Sequence, residues 1–284
     1  MVLRRLNSPG RFGSFAAVNP LKVRRRFSRR LTGQGVEIGP GHVPFPVPET
    51  VTISYIDRWE PAENSALFPE LGESPGFPKP HIVSNLDVDL LGALPDESQD
   101  FVIASHIIEH LANPLAMLVD IYRVLRPGGL LVLIVPDRHV TFDRSRPPTP
   151  LVHLVDEYER GVREVDDAHV KEYLVSRQLD DGAAGSYSSI HDLTVENIAF
   201  HRRRSVHAHV WDIDEFLELL DFAAQELQVR WRVLDIMKPG ARGTHGIEFG
   251  WLLARDSDEG LATVGRQQPR ALWGRSLHRA ARGA

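Results

Sequence analysis

At 284 residues, 42% of them hydrophobic and 25% charged, the chain is long enough for one large α/β domain with appendages, and a stapled mini-protein is excluded. It contains no cysteine, which excludes disulfides, thiolate zinc sites and cysteine nucleophiles, and its longest strongly apolar run, 130–135, is far too short to cross a bilayer. The net charge of −5 divides into +9 over residues 1–31, +5 over 260–284 and −19 over the body between them, whereas a dedicated nucleic-acid binder is more often basic through its body.

The basic N-terminal segment predicts a helix over 20–31, with Asn19 as cap and Pro20 in the first turn. Leu21, Val23, Phe27 and Leu31 recur at helical spacing. Such a segment suits a solvated helix leading into the domain, an arm for an anionic membrane or substrate, or a cleaved organelle-targeting peptide. From residue 35 short apolar strands alternate with helices. Strands are predicted at 36–38, 51–56, 81–84, 101–105 and 130–135. Between the last two, Asn113 caps a helix with Pro114 at its first position. Leu115, Leu118, Val119, Tyr122 and Leu125 form its buried stripe, and Pro127-Gly128-Gly129 stops it. This alternation argues for a parallel sheet covered on both faces. Residues 138–210 break the rhythm as a polar, His- and Arg-rich insertion, with one helix predicted after Pro150. A helix over 213–222 and strands over 229–236 and 247–254 follow, then an Arg-rich, amphipathic stretch from Pro269 onward.

Glu37-Ile38-Gly39-Pro40-Gly41 stands where the first strand meets a helix, and glycine there lets a ligand approach the backbone N–H groups. Asp57 ends the second strand, where a carboxylate can accept both hydroxyls of a ribose. The third glycine of the dinucleotide fingerprint is missing, since Pro44 and Phe45 occupy that stretch. A nucleoside without phosphates therefore fits better than a pyrophosphate.

These motifs, with Asp87 and Leu94-Pro-Asp-Glu-Ser-Gln-Asp100-Phe-Val-Ile-Ala-Ser105, resemble class I S-adenosylmethionine-dependent methyltransferases. His106-Ile-Ile-Glu-His110-Leu-Ala-Asn-Pro114 and Arg123-Val-Leu-Arg-Pro-Gly-Gly129 resemble their methyltransferase-11-like branch. The resemblance covers about 30–137 closely and 211–255 loosely. It implies a Rossmann-like fold with a seven-stranded, mostly parallel sheet, helices on both faces and a lid insertion. It also implies S-adenosyl-L-methionine as cofactor. Glu37, Gly39 and Gly41 would surround the methionine portion and Asp57 the ribose. Asp87 would meet the adenine amino group, with Asp89 competing for that role, and Leu86 or Val88 would pack the ring. Ser105 and His106 would line the transfer centre. His110 reads better as a helix histidine bonded to a neighbouring backbone or carboxylate group. The implied divisions are a basic arm (1–31), a cofactor-binding half (32–137), a lid and acceptor-binding insertion (138–210), a second half (211–255) and a basic tail (256–284).

A hydroxyl acceptor needs a base, and histidine suits that task near neutral pH. The candidates are His106, His139, His153, His191, His201, His207 and His209, with His106, His139, His207 and His209 foremost. Alternation in an extended segment would put His207 and His209 on one face. That pair suits acceptor binding, base catalysis or polar packing. With Asp192 or Asp212 it could hold a metal, but two histidines define no metal site and none is assigned. The stretch from Pro136-Asp-Arg-His139 through Asp143-Arg-Ser-Arg146, then Thr149-Pro-Leu-Val-His153 and Ser205-Val-His-Ala-His-Val-Trp211, resembles methyltransferases of bacterial glycan assembly. It implies a sugar hydroxyl as acceptor. Arg144, Arg146 and Arg202 to Arg204 could engage an anionic group, or pair with Asp156, Glu157 and Asp166. Trp211 or Tyr187 could stack on a sugar face.

The expected function is thus O-methylation of a sugar hydroxyl in a glycan or glycoconjugate. The alternatives are an N- or C-methyltransferase of another small molecule, or a cofactor-binding scaffold. No nucleic-acid partner is expected, because the strand-five ending Val135-Pro-Asp137 lacks the Asn/Asp-Pro-Pro-aromatic motif of base methylation. A cytoplasmic location is expected, with the basic ends suited to peripheral membrane contact.

Overall fold

The computed structural model describes residues 21–71, 76–183, 185, 188–240 and 246–256. Strands Gln34–Ile38 (β1), Thr52–Asp57 (β2), Ile82–Val83 (β3), Gln99–Ser105 (β4), Leu125–Pro136 (β5), Trp231–Met237 (β6) and Glu248–Arg255 (β7) form a single sheet. Its order is β3-β2-β1-β4-β5-β7-β6, parallel except that β7 runs antiparallel to both of its neighbours. This is the expected Rossmann-like class I methyltransferase arrangement. The order reverses between β1 and β4, so a crevice opens at the carboxyl ends of these two strands.

Period-two alternation sorts the central strands onto two cores. Val102, Ala104, Leu131, Leu133 and Val135 face one cluster, which Leu115, Leu118 and Ile121 of helix Pro114–Val124 complete with Phe216 and Leu219. Phe101, Ile103, Val132 and Ile134 face the other, which Val23, Phe27 and Leu31 complete. In chain order the helices are Leu21–Ser28 (α1), Pro61–Leu67 (α2), Pro114–Val124 (α3), Leu151–Arg160 (α4), Asp167–Ala183 (α5), Val195–Arg204 (α6) and Ile213–Glu226 (α7).

The expected cap of α3 is present, with the Asn113 side chain accepting from the Ala116 N–H and Pro114 opening the helix. A reciprocal Asp212/Glu215 capping box opens α7. The Pro127-Gly128-Gly129 stretch does not delay the next strand. β5 starts at Leu125, and the β4–β5 register shifts between Gln99 and Phe101. In α1 the apolar side is buried against the sheet, while Arg24 bonds Glu248 at 3.0 Å and Arg26 pairs with Asp235 at 3.0 Å. Residues 1–20 and the tail from 257 lie outside the described residues. Among the described residues no helix is long and apolar enough to cross a membrane.

Among the described residues the insertion holds three α-helices, α4, α5 and α6, where the sequence pattern predicts one. Apolar residues of α5 and α6 bury against each other and the following segment, in a small cluster of Val170, Leu174, Ile198, Val206 and Ala208. Helices that satisfy a local cluster rather than the sheet need only a narrow apolar stripe, which is faint in sequence.

Candidate active site

The crevice at the β1/β4 reversal deepens into a cavity of about 310 Å³. Its floor is the turn after β1, where Gly39 and Gly41 hold φ of 58° and 59°. This left-handed backbone is natural for glycine. The Gly39 N–H donates to the Ile56 carbonyl at 2.8 Å, tying the turn to β2. Asp57, Leu86 and Asp87 also line the cavity, as do Ile107 and Leu111 from the segment after β4. Trp59, Phe68 and Phe77 add aromatic wall, and Arg204 and Ser205 close it from the insertion. A second cavity of about 210 Å³ shares Arg58, Asn85, Asp87, His110 and Ser205 with the first.

The acids here are poorly compensated. Burial raises Asp57, against hydrogen bonds from the Trp59 N–H and Asn64 that lower it. Burial likewise raises Asp87, which accepts from the Ala112 N–H at 2.8 Å and has Arg58 at 4.0 Å. Glu37 sits behind the glycine turn, accepts from the Phe45 N–H at 2.9 Å, and is pushed up by burial to about 7. A cationic nucleoside bearing hydroxyl and amino donors would relieve this set, with Leu86, Ile107 and Leu111 as apolar surfaces for its base. The residues fit S-adenosylmethionine: Asp57 would accept from the ribose, Asp87 from the adenine edge, and the glycine turn would admit the amino-acid end.

His106 adopts a φ of 56°, a strained conformation for a residue with a Cβ. Two buried carboxylates hold it there. Nε2 lies 2.7 Å from Glu248 and Nδ1 3.5 Å from Glu109. Although burial opposes its charge, hydrogen bonds and attraction from the two glutamates raise the His106 pKa to about 9. Glu248, bonded to both His106 and Arg24, is held down at about 2 despite burial. His110 lines both cavities, its Nδ1 on the Val206 carbonyl at 3.0 Å as a backbone-bonded histidine. Burial, then the neighbouring His207, depresses it to about 4.

Of the expected cofactor residues, Gly39, Gly41, Asp57, Leu86 and Asp87 reach the cavity wall together with His106. Glu37 stands behind the turn. Ser105 is paired with Ile134 in the β4–β5 ladder. Asp89 is directed to Ser84 at 3.5 Å. The other foremost histidines lie elsewhere. His139 is about half exposed on the turn after β5, 3.2 Å from Asp212. His207 bonds Asp143 at 2.6 Å, and His209 lies 3.4 Å from Glu157. His207 and His209 therefore belong to two different side-chain groups, and neither group includes Asp192 or Asp212.

Trp211 is fully buried, stacked on His209 and edge-on to Phe216, so it offers no face to a sugar. Tyr187 lies outside the described residues. The arginines named from the sequence, Arg144, Arg146 and Arg202 to Arg204, are each paired with an acid, none of them Asp156, Glu157 or Asp166. Arg146 binds Asp143 and Glu172, Arg144 binds Asp180, Arg202 binds Asp167, and Arg204 binds Glu70. Arg203 and Arg204 also lie over the Trp59 and Phe68 rings at 5.1 and 4.7 Å. Sequence reasoning missed Glu248, Arg24 and the Trp59–Phe68–Phe77 wall. No spacing rule links residue 24 to 248, and scattered aromatics read as ordinary core.

Residues 62–133 match the family model described as Methyltransferase domain, Methyltransf_11. A Mycolicibacterium smegmatis protein named "Probable S-adenosylmethionine-dependent methyltransferase" is 43% identical over 58 residues, which are 20% of this chain and 22% of that protein's length. Among solved structures, an Aquifex aeolicus SAM-dependent methyltransferase shares 14% identity, covering 84% of this chain and 90% of its own, with a TM-score of 0.39. A Rhodobacter sphaeroides chain described as a candidate Zn-dependent alcohol dehydrogenase shares 11% identity over 82% of this chain and 89% of its own, with a TM-score of 0.51. Over residues 62–133 the chain is thus similar to the Methyltransf_11 methyltransferase domain, and the residues of its cavity would suit S-adenosylmethionine as cofactor.

Asp57→Asn is expected to weaken S-adenosylmethionine binding by about 10- to 150-fold, equivalent to ~1.5–3 kcal/mol for a lost charge-assisted contact. Calorimetric titration measures this. Since burial already disfavours the Asp57 charge, the melting temperature of the unliganded variant should not fall.

Proposed function

We propose that the protein transfers the methyl group of S-adenosylmethionine to a nitrogen or activated carbon of a small molecule, without a histidine base. The single observation behind this reading is that buried carboxylates face both ring nitrogens of His106, the foremost histidine on the cavity wall. With a pKa of about 9, His106 already carries its proton at neutral pH and cannot take another. His110, depressed to about 4, is a feeble proton acceptor. A sugar hydroxyl, suggested by the insertion's resemblance, would need a base that neither residue supplies well.

When bound, the cofactor supplies an electrophilic methyl group whose bonding pair leaves with sulfur. An amine attacks with its lone pair and releases its proton to water afterwards. An activated carbon attacks as its carbanion or enol equivalent. The chain's task is then alignment and exclusion of water, which its aromatic wall and the Arg204–Ser205 cover support. His106, neutralised by Glu109 and Glu248, acts as a fixed element of the wall.

The test is transfer of labelled methyl groups to panels of amines, carbon acids and hydroxyl compounds across pH. Transfer to an amine or carbon acid is expected, with His106→Gln retaining the shape of the pH–rate profile. Hydroxyl-specific transfer, abolished by His106→Gln and rising through a group titrating near pH 9, would overturn the reading.

A further inference from the structure

We propose that His153, Glu157, His169 and His209 form a closed site for one divalent transition metal of the zinc type, which pins α4, α5 and the segment after α6 to one another. α4 presents His153 and Glu157 one turn apart on the same face. α5 adds His169, and the extended segment after α6 adds His209. The His153 and His169 Nε2 atoms are 2.9 Å apart. Glu157 Oε1 lies 3.2 Å from the first and 3.4 Å from the second, and its Oε2 lies 3.4 Å from His209 Nε2.

Hydrogen bonds leave part of this group unpaired. His169 Nδ1 lies 2.8 Å from Asp166 and donates there, which leaves a bare lone pair on Nε2. That lone pair faces both His153 and the Glu157 carboxylate. A proton on His153 Nε2 can bridge to one of them. Glu157 Oε2 and His209 Nε2 are buried and have no hydrogen-bond partner. No Lys or Arg pairs with Glu157 among the described residues, and its polar neighbours at 3.2–3.4 Å are imidazoles. A cation at the centre resolves each conflict at once.

The spacing of His153, His169 and Glu157 fits directly, and all four ligand atoms lie within 4.8 Å of one another. Tetrahedral zinc with bonds of about 2.0–2.2 Å to nitrogen and oxygen places its ligand atoms roughly 3.3 Å apart. Three imidazoles and one carboxylate suit zinc or a similar borderline ion. The Asp166 contact supplies the outer hydrogen bond that orients a ligating histidine. Four protein ligands leave no open position, so the role is structural. Trp211, stacked on His209 and bridged to Asp137 at the end of β5, carries the pin to the sheet.

The test measures metal bound to the full-length protein after dialysis, by mass spectrometry of the elements, for the wild type, Glu157→Gln and His169→Asn. About one zinc-class ion per chain is expected in the wild type and at least ~tenfold less in each variant. Chelation should lower the wild-type melting temperature and leave the variants unmoved. Should the variants fail to fold, cobalt loading of the chelated wild type still decides, since a closed tetrahedral site gives strong visible absorption. No retained metal together with no thermal shift on adding zinc would overturn the proposal. So would full metal content in both variants, or loss only in His207→Asn, which would assign the ion to Glu109, His110 and His207.

Discussion

Glu248→Gln is expected to destabilise the protein by about 3–5 kcal/mol, because it removes one partner of a buried ion cluster. The Glu248 side chain is 1% exposed and its Oε2 meets both Arg24 at 3.0 Å and His106 at 2.7 Å. Glutamine preserves the shape but leaves two cations facing an amide. The first readout is urea unfolding. The second is the His106 pKa by NMR titration, which should fall from about 9 toward its ordinary 6.5.

The pH dependence has a definite sign. The raised His106 pKa stabilises the fold fully below pH 6.5, and this is lost as pH rises through about 9. The depressed Glu248 pKa stabilises fully above 4.5, and this is lost as pH falls through about 2. These are two views of one interaction, so they are not added. The gap between wild type and variant should be widest between pH 4.5 and 6.5. A gap that stays constant from pH 3 to 10 would show the cluster to be irrelevant to folding.

Gly35→Ala is expected to cost about 3 kcal/mol or more, through overpacking at the centre of the sheet. A Cβ at Gly35 would lie 2.2 Å from the Phe101 carbonyl oxygen and 2.5 Å from its ring. β4 cannot retreat, because β1 and β5 hold it on either side. Phe101 is fully buried, so its ring has no open space to enter. Denaturant unfolding should show a lower midpoint with an unchanged slope. Gly41→Ala is the control. Nothing lies within 4 Å of a Cβ there, so only the cost of φ 59° remains, about 1–2 kcal/mol.

Much of the cofactor half was legible in sequence because its determinants are local. The Gly39–Gly41 turn, the Asp57 strand end and the Asn113–Pro114 helix start each depend on a few adjacent residues. Short continuous apolar runs at 101–105 and 130–135 marked the central strands, although β5 starts five residues earlier, at Leu125. The insertion was less legible, since α5 and α6 bury a narrow stripe against each other.

What tertiary structure alone decided was the chemical state of the histidines. Sequence made His106 a foremost base. Folding brought Glu248 from 142 positions away and converted it into a held cation. Sequence paired His207 with His209, whereas the fold sends one to Asp143 and the other to a group drawn from α4 and α5. The basic helix α1 read as a solvated arm or docking segment, but its Arg24 reaches the cluster beside the cavity. Local pattern can specify a strand, a turn or a cap, because those energies arise within a few residues. Protonation and ligation depend on which charges meet in a low-dielectric interior, and only the completed packing determines that.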